Sequence, residues 1–125
     1  MSDYGHRLIP PPVWWPPMRA GETDSRYLDF TPDLGPAGDS ITAIGTVSVV
    51  IARQDGAAVT GADLVLAGVA WPNTLDATGL IPTFGLHAPS GSAGVAYAVA
   101  ITVAGTAKGR TVIRDVLIAV AGALG

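Results

Sequence analysis

Two histidines, ten carboxylates and seven basic side chains are what this sequence offers for proton transfer or metal binding. A metal site needs several such ligands converging on one point. His6 and His87 each stand alone, with no second histidine or carboxylate at a spacing that would share one face. Asp29 and Asp33 flank Thr31-Pro32 and do not form an acid–base pair by their spacing. The chain has no cysteine, which removes thiol nucleophiles, disulfides and thiolate metal sites. No nucleophile elbow, phosphate loop or dinucleotide fingerprint occurs. Gly91-Ser92-Ala93-Gly94 is glycine-rich, but it opens a predicted strand and gives a phosphate no helix N-terminus. The expectation is a chain without catalysis, cofactor or metal.

Charge excludes other classes. The formal net charge is -3, too mild to call for nucleic acid or an anionic surface. Lys108, Arg110 and Arg114 make only a small basic patch. Asp3, Glu22, Asp24, Asp29, Asp33 and Asp39 face Arg7, Arg19 and Arg26, so the acidity sits in the first third. Charged residues are 14% of the chain, against about 25% in ordinary soluble domains. Either much of the surface is covered by other subunits, or the Ala/Gly content reflects GC-rich coding bias. The apolar C-terminal stretch from Val116 to Gly125 falls short of the roughly 20 residues that cross a bilayer. The N-terminus lacks a signal-peptide pattern, so neither membrane nor secretion is expected.

With 125 residues, the chain has the length of one domain. Its elements divide into an arm, 1–25, and a body, 26–125. In the arm, Pro10, Pro11, Pro12, Pro16 and Pro17 disfavour helix and ladder pairing and predict an extended, polyproline-like backbone. In the body, short strands are predicted at 27–30, 41–53, 59–70, 80–87, 94–105 and 110–121. The 41–53 stretch alternates Val47, Val49 and Ile51 with Thr46 and Ser48, the period of a half-buried strand. In 94–105, Tyr97, Val99, Ile101 and Val103 alternate with alanines. The last two strands are expected to form a hairpin across Lys108-Gly109. This spacing predicts an all-β, immunoglobulin-like β-sandwich of about six or seven strands.

The candidate site residues are those of the arm: Leu8, Ile9, Pro10, Pro11, Pro12, Val13, Trp14, Trp15, Pro16 and Pro17. Tryptophan anchors interfaces because it buries a large area with few rotamers to lose. Proline pre-orders the segment and lowers the entropy lost on docking. The arm reads as docking onto another chain; folding back over its own sandwich is the competing reading. Trp71 and Tyr97 read as structural, Trp71 as a core or rim aromatic and Tyr97 as a tether for a crossover loop.

Several motifs recur in a known order. Tyr27-Leu28-Asp29-Phe30 precedes Gly38-Asp39-Ser40-Ile41-Thr42. Gly91-Ser92-Ala93-Gly94 and Tyr97-Ala98-Val99 follow, then Gly109-Arg110-Thr111 and the alternating Val116 to Val120. Together they span about 27–121, and the chain resembles the small virion proteins of tailed bacteriophages called fiber-tail adaptors or minor structural proteins. The resemblance implies an immunoglobulin-like domain in a virion assembled in the host cytoplasm. It implies a structural role joining a fibre or appendage to tail or neck, with other virion proteins and copies of itself as partners. A capsid decoration protein is the alternative, and a host- or carbohydrate-binding module a second one. Residues 53–85 and the Pro/Trp arm depart from the pattern.

Overall fold

The computed structural model describes residues 13–122. They form two β-sheets packed as a sandwich. The strands are β1 (Val13–Trp14), β2 (Met18–Arg19), β3 (Thr23–Tyr27), β4 (Val47–Arg53), β5 (Val65–Leu66), β6 (Thr74–Leu75), β7 (Pro82–His87), β8 (Ala96–Ala104) and β9 (Thr111–Ala121). One sheet runs β4–β8–β9, with β1 and β2 in succession along the far side of β9. The other runs β3–β7, with β5 and β6 on the opposite side of β7.

The alternation in the sequence decides what lies between the sheets. Tyr97, Val99, Ile101 and Val103 of β8 are wholly buried, as are Val116 and Ile118 of β9. Phe84 and Leu86 of β7 close the core from the other sheet, joined by Phe30, Leu34 and Leu64. The predicted β8–β9 hairpin is present, and Gly109 takes φ +77 in its turn, a conformation that suits glycine.

Other elements differ from expectation. The predicted 41–53 strand begins only at Val47, because a 3-10 turn, Ile44–Thr46, interrupts it. Ile41 is instead anchored by its N–H to the carbonyl of Gly79. The 59–70 strand shrinks to Val65–Leu66, and Gly68–Ala70 forms a 3-10 turn. The first body strand lies at Thr23–Tyr27 rather than 27–30, and a single helical turn, Thr31–Leu34, follows it.

Two buried carboxylates tie loops to the sandwich. Asp39 accepts from the Thr106 hydroxyl at 2.5 Å and from the N–H groups of Lys108 and Ser40 at 2.9 Å. The Gly38-Asp39-Ser40 turn is thereby fastened to the β8–β9 hairpin. Burial alone would raise the Asp39 pKa, but these donors and the nearby Arg110 hold it below the ordinary 3.8. Asp63 accepts from the Tyr97 hydroxyl at 2.7 Å, the Thr60 N–H at 2.8 Å and Arg53 at 3.1 Å. The Tyr97 hydroxyl and the Thr60 N–H lead in keeping Asp63 below the ordinary value. Among the described residues, no buried side-chain nitrogen or oxygen lacks a hydrogen-bond partner.

Both carboxylates have lowered native pKa values, so each contributes stability above 3.8 that is lost as pH falls through its native value. Urea midpoints should therefore stay level from neutral pH to about pH 4 and decline below it. The decline should shrink in Asp39→Asn. A midpoint indifferent to acid would contradict the network.

Gly85 sits where β7 passes beneath the 67–73 segment. A Cβ there would overlap the Trp71 carbonyl oxygen and lie 2.6 Å from the Trp71 Cβ. Gly85→Ala should cost about 3 kcal/mol or more, since backbone rather than a flexible side chain must move. Gly45→Ala, at a position with nothing within 4 Å, should change the urea midpoint little. Equal effects at the two positions would rule out the close approach.

Candidate docking surface

The arm residues from Val13 onward do not stand free. β1 runs parallel to β9, with Val13 opposite Val116 and Trp14 opposite Leu117. β2 continues the pairing, with Met18 opposite Val120 and Arg19 opposite Ala121. The expectation that proline would keep this stretch out of a ladder is thus overturned for 13–14 and 18–19. Pro16 and Pro17 fall between the two short strands, where no ladder N–H is needed. Leu8, Ile9, Pro10, Pro11 and Pro12 lie outside the described residues.

Three contacts hold the segment against its own sandwich. The Trp15 N–H donates to the Leu117 carbonyl at 2.9 Å, continuing the ladder past β1. The Trp15 ring enters the core, 6% exposed, tilted against Phe84 with ring centroids 6.1 Å apart. Its indole N–H donates to the Tyr27 carbonyl at 2.7 Å, which satisfies the one polar atom of the side chain. Arg26 then donates to the carbonyls of Pro16 and Pro17 at 3.0 and 3.1 Å. The prolines that cannot donate serve as acceptors. For Trp15, the reading in which the arm covers its own domain is the one the geometry meets.

Trp14 does the opposite. It points away from the core and is 55% exposed. The register places it at the end of a row that crosses the whole sheet: Trp14, Leu117, Ala98, Ala52. The next row is Asp115, Ala100, Val50, and the next Ile113, Thr102, Ser48. Ala96 and Ala119 pair on the other side. Alanine supplies much of this outer face, with Trp14, Leu117, Val50 and Ile113 set among Ser48, Thr102 and Asp115. Val50 is 64% and Ile113 57% exposed. Among the described residues, Asp115 is the charge within these rows.

Trp71 and Tyr97 separate in role. Tyr97 is wholly buried, and burial, then its bond to Asp63, pushes its pKa up to about 12. Trp71 is 43% exposed, so it forms part of the rim of the second sheet rather than its core. His87 bonds through Nδ1 to the Thr23 hydroxyl at 2.7 Å, a contact between β7 and β3. Among the described residues, no group of three or more His, Cys, Asp or Glu side chains is placed to hold a metal ion. A surface depression of about 340 Å³ lies between Arg53–Asp55 and Gly94–Ala96. The Arg53 guanidinium there is already engaged by Asp55 and Asp63.

Compared with protein-family models, curated proteins and solved structures, the chain matches none of them.

The two adjacent tryptophans should respond differently to truncation. Trp15→Ala should cost about 3–5 kcal/mol, the range for a buried large aromatic. Trp14→Ala should change stability by less than about 1 kcal/mol. Equal losses in chemical denaturation would mean that both rings pack on the core.

Proposed function

We propose that the protein is a non-catalytic structural module of a tailed-phage particle, an adaptor that attaches a fibre or other appendage to the tail or neck. The observation that carries the docking role is the outer face of the β4–β8–β9–β1 sheet. A solvated sheet face ordinarily alternates buried apolar residues with outward polar ones. Here nine of the twelve outward residues in these rows are apolar, five of them alanine, with Trp14, Leu117, Val50 and Ile113 the larger ones and Ser48, Thr102 and Asp115 the polar ones. Burying such a face contributes at roughly 25 cal/mol per Å² of apolar area. Trp14, held in place by the ladder beneath it, loses little freedom on contact.

An immunoglobulin-like assignment is supported by the strand order. One sheet holds β4, β8 and β9, with the first chain segment along β9. The other holds β3, β7 and the short β5 and β6. Counting along the chain, this corresponds to strands C, F and G facing B, E and D, with the first segment beside G where the constant-type division puts strand A with B. Placement in a phage particle rests on the motif order in the sequence. Asp39 of the Gly-Asp-Ser turn and Arg110 of the Gly-Arg-Thr segment stand 3.8 Å apart, so two of those motifs meet in space. Capsid decoration is the alternative that the same face would serve.

Cryo-electron microscopy of assembled particles distinguishes the two. Density for the module is expected at the neck, tail or fibre base, with its Trp14 face against a neighbour. A lattice of copies covering the shell would replace the adaptor reading with decoration. Particles that carry the protein with Trp14 and Leu117 facing solvent would remove the docking face from the proposal.

A further inference from the structure

The four margins of the two sheets are not alike. An exposed strand edge is a template for pairing, and proteins usually block it with charge, proline, a bulge or brevity. β3 carries Asp24 and Arg26. β5 and β6 are two residues each, with Pro72 between them. The margin of β9 is covered by β1 and β2 from Val116 to Ala121, and Arg114 and Asp115 stand just before that point. β4 is different. Its seven residues, Val-Ser-Val-Val-Ile-Ala-Arg, contain no proline and no charge before Arg53.

The hydrogen-bond parity of β4 follows from two bonds at the ends of the ladder. Gln54 donates to the Ala96 carbonyl at 3.0 Å, in register with the pairs Ala52–Ala98, Val50–Ala100 and Ser48–Thr102. Antiparallel ladders alternate bonded and non-bonded pairs. Ser48, Val50 and Ala52 therefore bond to β8, and the odd-numbered residues turn their N–H and C=O groups outward. Val120 donating to the Val95 carbonyl at 2.9 Å fits the same alternation, since odd residues of this segment bond to β9. The Val47 N–H is taken by the Ile44 carbonyl, and the Arg53 carbonyl by the Gly56 N–H. Among the described residues, Val49 and Ile51 have no backbone partner on that side.

We infer that β4 pairs antiparallel with β4 of a second copy of this chain, about a two-fold axis at Val50. In this register Val49 exchanges N–H···O bonds with Ile51 of the second copy, and Ile51 with Val49 of the second copy. Every outward group left free on β4 is then satisfied, which a shift of the axis to Val49 or Ile51 does not achieve. Val50 meets Val50 of the second copy as a non-bonded pair, with Cα atoms about 4.5 Å apart and side chains in contact. Ser48 falls opposite Ala52. Arg53 falls opposite Val47, far from its own copy, and Asp55 and Asp63 already neutralise it. No like charges oppose one another along the pair. An isologous contact of this kind closes after two copies. It joins the two outer alanine faces into one continuous surface twice as wide. The pairing rests on the geometry of the β4 edge and not on which particle the module serves.

The test combines sedimentation with amide exchange on the full chain and on Val50→Lys. Val50 is 64% exposed, so lysine there leaves the core intact while opposing its copy across the axis. At about 100 μM the wild type should sediment as a dimer and Val50→Lys as a monomer with an unchanged circular dichroism spectrum. The Val49 and Ile51 amides should exchange at least about tenfold more slowly in the wild type than in the variant. Because the chain has no cysteine, Val50→Cys should form a disulfide-linked dimer on mild oxidation, and Ser48→Cys should not. A wild type that stays monomeric overturns the inference. A dimer whose Val49 and Ile51 amides exchange freely overturns it too, because it would be joined elsewhere.

Discussion

An indole placed between two sheets brings a polar N–H into a region without water, and that atom must find an acceptor. The Trp15 indole N–H finds the Tyr27 carbonyl, at the end of β3 in the opposite sheet. That bond spans the sandwich. It fixes the ring against Phe84, sets the height of the chain beside β9, and places Pro16 and Pro17 within reach of Arg26. Strand pairing of only two residues at β1 and two at β2 is marginal alone. Trp15 and the wholly buried Met18 make it part of the fold. The outward direction of Trp14 follows, since neighbouring residues on a strand face opposite ways. The outward face that carries Trp14 thus depends on a residue buried behind it.

Much of this was legible in the residue pattern. The β8 and β9 strands, their hairpin and their buried positions follow from a period of two. The same pattern held the outer face in view. Ala96, Ala98 and Ala100 occupy outward positions where a solvated strand would carry Lys, Thr or Glu. The Trp14-Trp15 pair was visible as an anchor, but adjacent residues on a strand part company, and a single label for both could not hold.

Other features were out of reach for physical reasons. The break of the 41–53 strand at Ile44–Thr46 comes from tertiary demand: Ile41 is held by Gly79, and Asp39 by the β8–β9 hairpin. Neither tie leaves a periodic trace. The 59–70 stretch has enough valine for a strand, yet Asp63 draws it toward Tyr97 and Arg53, leaving only Val65–Leu66 for pairing. Gly85 looked like one glycine among 16. Its role as the floor beneath Trp71 requires knowing which segment crosses it.

The parallel run of β1 and β2 beside β9 also has a mechanical meaning. Tension that enters before Val13 and leaves after Ala121 pulls these neighbours in opposite directions along their common axis. The ladder between them is then loaded in shear, so its hydrogen bonds resist together instead of parting one at a time. An antiparallel first strand, pulled in the same way, would peel from its end. The core-inserted Trp15 adds a peg that must be withdrawn before the strands can slide.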